Sequence, residues 1–448
     1  MPETKPSNSN ESKIIKKMER RIVYANDFAL SFNFPLSYWK GHYTALRSFG
    51  YDTVMLFVAG TAPLKGFEQT VEWECNYIPE LCAHIQKLGM KVILLSGVFN
   101  WLGMSPGFIR MTPELEAEWP ETWNKQWLQN SYRRALCSTK AYKPAMEYVK
   151  ALWNLYPAAD GFAMEFGCEK PHCQCAECQK RGHWKIEMDF LNEFSEWVWQ
   201  RSPNAEIIRN LGYKASHAKY PDSLLYQEMA KLDSPKILHW YTRPEANFET
   251  QDGKKHYFNS TETYDMLGKN GFMHHMPNMT IEEIVNLAFK LGLKGINGHP
   301  DERYMFLPEY PHGSFGFIRR CGPPLNPIYD HWLFRLRGFH YKYLFDNPTA
   351  SYDDYKSEVI SNYTGNAELA QVQLLLEDLI IDKKVPAKFF ADENFYMIKD
   401  GLVKDITKDI SPSEMKLLKG FMKNNNVQNA EYKKVKNTTK SLFKILGV

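Results

Sequence analysis

Residues 160–178 read DGFAMEFGCEKPHCQCAEC. The apolar run Gly161–Met164 ends in one carboxylate, Glu165, and four cysteines and His172 follow at once. A carboxyl at the end of an apolar strand is partly desolvated, which favours its protonated form and suits a general acid. The cysteines are spaced Cys168-x4-Cys173-x-Cys175-x2-Cys178. Four thiolates this close can close a tetrahedral zinc site, and Cys175-x2-Cys178 is the usual half of one. The chain has eight cysteines, and the other four (Cys75, Cys82, Cys137, Cys321) are scattered. That clustering points to metal ligation rather than to a secreted disulfide framework. A closed four-cysteine site has no open coordination position, so its zinc would be structural and would pin the segment after Glu165. A three-cysteine or Cys/His zinc, with His172 or His183 nearby, is the alternative and would be catalytic.

Strands must position such groups, and the chain supplies them in a regular order. Apolar runs alternate with helical periodicity from about residue 21 to 300. RIVYAND reads as a first strand, DTVMLFVAG as a second and MKVILLSGVFNW as a third. DGFAMEFG is the fourth, AEIIRNLGY the fifth, PKILHWYTRP the sixth, FMHHMPN the seventh and LKGINGHPDE the eighth. These runs are short and not strictly alternating, as in strands buried on both faces. The helices between them end in glycine or proline signals, and Thr280 is the expected cap of TIEEIVNLAFKLG. Eight β/α units in this length predict an α/β fold, a (β/α)8 TIM barrel over residues 21–324. The first strand ends in Asn26-Asp27-Phe28, with no glycine-rich phosphate loop, which argues against a doubly wound sheet. Residues 1–20 read as a disordered polar leader. From 325 to 448 helical patterns follow one another without strands, a C-terminal helical appendage.

In a barrel the chemistry sits where the strands end. Those positions hold Asp27, Asn100, Trp101, Glu165, Asn210, Tyr213, Trp240, Tyr241, Arg243, Asn297, His299, Asp301 and Glu302. His274 and His275 are adjacent on one strand, so only one can enter the barrel mouth, and His275 is taken as that one. Carboxylates, amides and aromatics in this density are what glycoside hydrolysis uses. One acid protonates the leaving oxygen, a second carboxylate acts on the anomeric carbon or a water, and the rest hold hydroxyls and ring faces. Glu165 is the expected acid. Asp27, Asp301 and Glu302 compete for the partner role. Asn100, Trp101, Asn210, Tyr213, Trp240, Tyr241, Arg243, His275 and Asn297 are expected to contact the substrate. Arg243 is the residue that could hold an acidic sugar's carboxylate.

Composition narrows the partners. The net charge is +3 with no basic stripe, which excludes a nucleic-acid partner. No apolar stretch approaches a membrane span, and the leader has no apolar run of signal-peptide type, so a cytoplasmic protein is expected. In that setting the sequons at Asn259, Asn278, Asn362 and Asn437 carry no weight. An aromatic content of 14% suits a packed core and also a sugar-stacking cleft. The helical appendage offers a homodimer surface.

Three stretches resemble barrel glycoside hydrolases. LCSTKAYKPAMEYVKALWNLYPAADGFAMEFGCEKPHCQCAEC looks like the fourth-strand region of hydrolase-like barrels, which read Leu-Cys-Pro-Ser, a helix, YP, DG, an acidic residue and a C-x-C-x-x-C. VEWECNYIPELCAHIQKLGMKVIL resembles their second α/β unit. YLFDNPTASYDDYKSEVISNYTG is similar to the C-terminal helices of the α-glucuronidase-like and β-hexosaminidase-like group. The resemblance implies a barrel and carbohydrate chemistry with Glu165 in the acid position. Two departures stand out: Met164-Glu165 replaces the Asp-Glu pair of β-hexosaminidases, and Asp346 stands where a Trp is usual. The expected function is therefore glycoside hydrolysis on a carbohydrate substrate. The alternatives are a catalytically silent carbohydrate-binding barrel and a zinc-dependent group-transfer barrel built on the cysteines.

Overall fold

Short runs of β-branched and aliphatic residues form parallel strands wherever both faces can be covered. The computed structural model describes residues 17–24, 35–58, 77–99, 112–118, 136–166, 173–210, 236–242, 247–249, 255–257, 271–274, 280–298, 328–330, 332–363, 365–378, 410–424 and 430–446. Its strands in chain order are β1 (Arg20–Tyr24), β2 (Thr53–Phe57), β3 (Lys91–Gly97), β4 (Gly161–Glu165), β5 (Glu206–Asn210), β6 (Leu238–Thr242), β7 (Asn247–Glu249), β8 (Lys255–Tyr257), β9 (Gly271–His274) and β10 (Gly295–Asn297). Eight of them close into a parallel barrel in the order β1-β2-β3-β4-β5-β6-β9-β10. The expected barrel is present. One unforeseen feature lies between its sixth and seventh strands, where β7 and β8 pair antiparallel as a separate two-stranded sheet. Each has three residues and no apolar run to announce it.

The helices of the barrel are α1 (Leu36–Ser48), α2 (Ile78–Lys87), α3 (Tyr142–Leu155), α4 (Ala176–Arg181), α5 (His183–Trp199) and α6 (Ile281–Lys290). Thr280 caps α6 as expected. Its hydroxyl accepts from the Glu283 amide, and the Glu283 side chain accepts from the Thr280 amide. Gly89 and Gly292 follow α2 and α6 with φ of 76° and 68°, the left-handed turn that stops a helix before the next strand.

Alternation along the strands divides the core in two. Ile22, Met55, Phe57, Ile93, Leu95, Ala163, Ile208, Trp240 and Phe272 form the cluster inside the barrel. Their strand neighbours Val23, Val54, Leu56, Val92, Leu94, Phe162, Met164 and Met273 belong to the outer cluster, between strands and helices.

The remaining helices are α7 (Trp332–Asp346), α8 (Tyr352–Glu358), α9 (Ala367–Glu377), α10 (Pro412–Lys423) and α11 (Ala430–Leu446). Helix α7 lies within the stretch read from sequence as appendage, and it packs on the barrel between α1 and α6. Its Phe334 meets Phe49 and His42 beside α1. A Cβ on Gly338 would fall 2.2 Å from the Phe49 ring. On the other side His340 Nε2 lies 2.7 Å from Glu282 Oε1 of α6. The leader also reaches this helix: Met18 is buried and its amide donates to the Phe345 carbonyl. Among the described residues no helix is long and apolar enough to cross a membrane.

The His340–Glu282 contact makes the α6–α7 seam sensitive to acid. Burial alone would raise the Glu282 carboxyl, but the hydrogen bond and charge of His340 outweigh it and hold the carboxyl at about 2. An unfolded glutamate titrates near about 4.3, so this contribution is complete above that value and fades as pH falls toward 2. Glu282→Gln is expected to destabilise the protein by about 3 kcal/mol at neutral pH, the cost of breaking a buried pair. Thermal unfolding of wild type and variant should converge as pH drops from about 5 toward about 3; a gap independent of pH would show that the ion pair is not its source.

Candidate functional site

The inward row of side chains fixes what stands at the C-terminal mouth. Glu165 is two residues beyond Ala163, an interior residue, and so belongs to the same row. The register runs from Gly97 to Glu165 to Asn210 to Trp240 to Phe272 across five strands. Positions 242, 274 and 297 continue it toward β1. Asn297 pairs with Ile22, another interior residue, which closes the ring.

Glu165 is the carboxylate that the described residues bring to this end. It is 4% exposed, and its carbonyl accepts from the Val98 amide at 2.9 Å. Phe166, next in the chain, packs on Phe99 and Phe190, which anchors the strand end from outside. Asn297 is fully buried in the same inward row. Trp240 is 2% exposed and stacks on Phe272, with ring centroids 6.3 Å apart. It is packed in the barrel interior, level with Glu165 in the register. Asp160, at the opposite end of β4, accepts from the Val92 amide at 2.8 Å and from the Gln86 side chain, a structural role.

Other expected residues are placed only in part. Asn210 and Tyr241 are described by their backbone. Position 210 is in the inward row beside Trp240. Position 241 pairs with Met273, an outer-cluster residue. Of the two histidines, position 274 is in register with Asn297. Asp27, Asn100, Trp101, Tyr213, Arg243, His275, His299, Asp301, Glu302 and Cys168 lie outside the described residues.

A second cluster stands beside the strand end. Cys137, Cys173, Cys175 and Cys178 are buried, and their sulfurs all lie within 4.8 Å of one another. This buried set could hold a metal ion. Cys137 was one of the scattered cysteines in sequence; the fold brings it in. Its Sγ is 3.6 Å from both Cys175 Sγ and Cys178 Sγ. Cys175 is the N-cap of α4, and its sulfur accepts from the Cys178 amide at 3.4 Å. The Glu118 amide donates to Cys173 Sγ at 3.3 Å. The Thr139 hydroxyl is 3.3 Å from Cys137 Sγ and from Cys178 Sγ. These contacts favour thiolate character unequally. A hydrogen bond from Cys173, acting against burial, pulls Cys178 down to about 4, while donating that bond and burial push Cys173 up. Burial also raises Cys137. The signal for Cys137 lay in its setting: it precedes the helix leading to β4, in the Leu136-Cys137-Ser138 stretch that carries the resemblance.

No family model and no curated protein matches the chain. Solved structures do match. A mutant O-GlcNAc hydrolase from Thermobaculum terrenum is similar with a TM-score of 0.52 and 10% identity, over 95% of this chain and 81% of that one. A GH138 enzyme targeting pectin rhamnogalacturonan II is similar with a TM-score of 0.54 and 9% identity, over 96% of this chain. The fold is one used by glycoside hydrolases. The chain spans 57% of the length of the GH138 enzyme.

Removing the Trp240 ring should be costly. Trp240→Ala leaves a cavity inside the barrel and is expected to lower stability by about 3–5 kcal/mol, read by chemical unfolding, while Trp240→Phe costs less. A variant as stable as wild type would show that Trp240 is not packed in the interior.

Proposed function

We propose that the protein is a glycoside hydrolase in which Glu165 is the general acid. The observation that carries this is the position of Glu165: a buried carboxylate in the inward row, at the end of the barrel where such folds place their chemistry. The similarity of the whole fold to two glycoside hydrolases supports it. One of Asp27, Asp301 and Glu302, each following a barrel strand, supplies the second carboxylate that the reaction requires. Glu165 protonates the glycosidic oxygen as the bond to the anomeric carbon breaks, and the second carboxylate attacks that carbon or activates a water. The residue at 210 adjoins the acid in the register and Asn297 stands in the inward row on the opposite side of the barrel; in this reading both hold sugar hydroxyls. In this reading the cysteine cluster holds a structural zinc, and five unbridged cysteines among the described residues support a reducing, cytoplasmic setting.

The neighbours' names guide the test without fixing the sugar. A panel of α- and β-glycosides should include N-acetylglucosaminides, uronides and deoxysugars found in pectin, with natural as well as aryl leaving groups. Wild type is expected to hydrolyse at least one. Glu165→Gln is expected to lose about 10²–10⁴-fold in rate on a natural glycoside, and less on an activated aryl one. Retention of full activity by the variant would remove Glu165 from the acid role, and failure of wild type on the whole panel would count against hydrolysis itself.

A further inference from the structure

The cysteine cluster is assembled from two parts of the chain, and this decides what it can bind. Cys173, Cys175 and Cys178 come from the segment that leads into α4. Cys137 comes from the far side of helix α3, 36 residues or more before them. A zinc ion with Zn–S bonds of about 2.3 Å sets its four sulfurs about 3.8 Å apart. Two of the sulfur pairs here stand at 3.6 Å, and none of the six exceeds 4.8 Å. That is the spacing around one ion. A multi-iron cluster spreads its cysteines over several metal atoms and needs a larger cage. Disulfide bonding is absent from all four, although a bond would draw a pair to about 2.0 Å.

The surroundings are those of a ligand shell. Two backbone amides and the Thr139 hydroxyl point at the sulfurs, at 3.3–3.4 Å. Such contacts hold thiolates in place and temper their charge. Four ionised sulfurs so close would repel one another without a cation between them.

We propose that Cys137, Cys173, Cys175 and Cys178 are the complete ligand set of one tetrahedral zinc ion, with Cys168 outside it. The ion cross-links the segment before α3 to the segment before α4. The first of these segments reaches the end of β4 through Phe99. The Leu136 amide, one residue before Cys137, donates to the Phe99 carbonyl at 2.7 Å. Phe99 in turn packs on Phe166, which follows Glu165. The zinc thus holds the walls that hold Glu165. This last step rests on the hydrolase reading, whereas the ligand assignment does not.

The test begins with elemental analysis of the full chain purified without chelator. One zinc per chain is expected. Cobalt(II) in its place should give the intense d–d and thiolate charge-transfer bands of a tetrahedral four-sulfur site. Cys168→Ser should retain the metal and the cobalt spectrum unchanged. Cys137→Ser should weaken zinc retention by about 100-fold or more, since losing even an outer partner of a ligand costs 10–100-fold. If Cys137→Ser fails to fold, wild type and Cys168→Ser still decide the matter. Loss of metal from Cys168→Ser, iron in place of zinc, or no zinc bound after addition of the ion alone would each overturn the assignment. Hydrogen exchange of residues 161–166 with and without chelator reads the effect on the strand end. Faster exchange on zinc removal is expected, and unchanged exchange would sever the link to Glu165 while leaving the metal site standing. Neither measurement uses a sugar, so a failure here is distinct from a failure of the glycosidase assay.

Discussion

One ion pair crosses the floor of the barrel. Arg20 on β1 donates to both carboxylate oxygens of Glu206 on β5, at 2.8 and 2.9 Å. In a ring of eight strands these two are diametrically opposed. Paired donors in a planar fork fix distance and angle together, which a point charge cannot do. Lys91 on β3 also binds Glu206, and Arg20 reaches Thr53 on β2. Burial would raise the Glu206 carboxyl, but Arg20 and Lys91 outweigh it and keep it below its ordinary value. Four strands are thereby tied at one level. A strand slipped by one residue would turn its inward row outward, so Ile208 and Asn210 would leave the interior with Glu206. The position of Glu165 at the other end follows from this floor, because β4 pairs with β5 from Gly161–Glu206 to Glu165–Asn210 without interruption.

The outside of the barrel is finished by a helix that sequence alone could not place. A helix with apolar residues on most of its surface must be covered on most sides, but the pattern does not name the neighbours. Helix α7 covers the gap between α6 and α1. It then carries the helices beyond it. Arg337 on α7 lies 3.6 Å from Glu377 on α9, both of them buried, and Tyr355 on α8 stacks on His340 at 3.7 Å between centroids. Buried charges are costly unless paired, so these contacts fix one arrangement of the C-terminal helices on the barrel rather than add much to its stability.

The strands and their order were legible because short apolar runs alternate with helical patterns and helix stops, and Thr280 announced the cap of α6. What escaped sequence reading was settled by contacts distant along the chain. β7 and β8 have too few residues to show a period. The burial of Trp240 depends on Phe272 from another strand, which no local pattern announces. Cys137 looked isolated because metal-ligand spacing is read from near neighbours. A helix of fourteen residues separates it from the acid strand, and only the packing of that helix on the barrel returns it to the other three cysteines.

The chemistry proposed for Glu165 sets two demands that conflict. The carboxyl must be reached by a substrate, so it cannot be sealed in the core. It must also stand in one place, because a misplacement of about 1 Å can cost 100-fold in rate. Loops bury little apolar surface and are ordered weakly by it. A cross-link resolves the conflict at small size: four short side chains around one ion immobilise two segments without a large core. Phe99, Phe166 and Phe190 carry that rigidity back to the strand end. In the proposed reading the cysteines thus serve the carboxylate they follow.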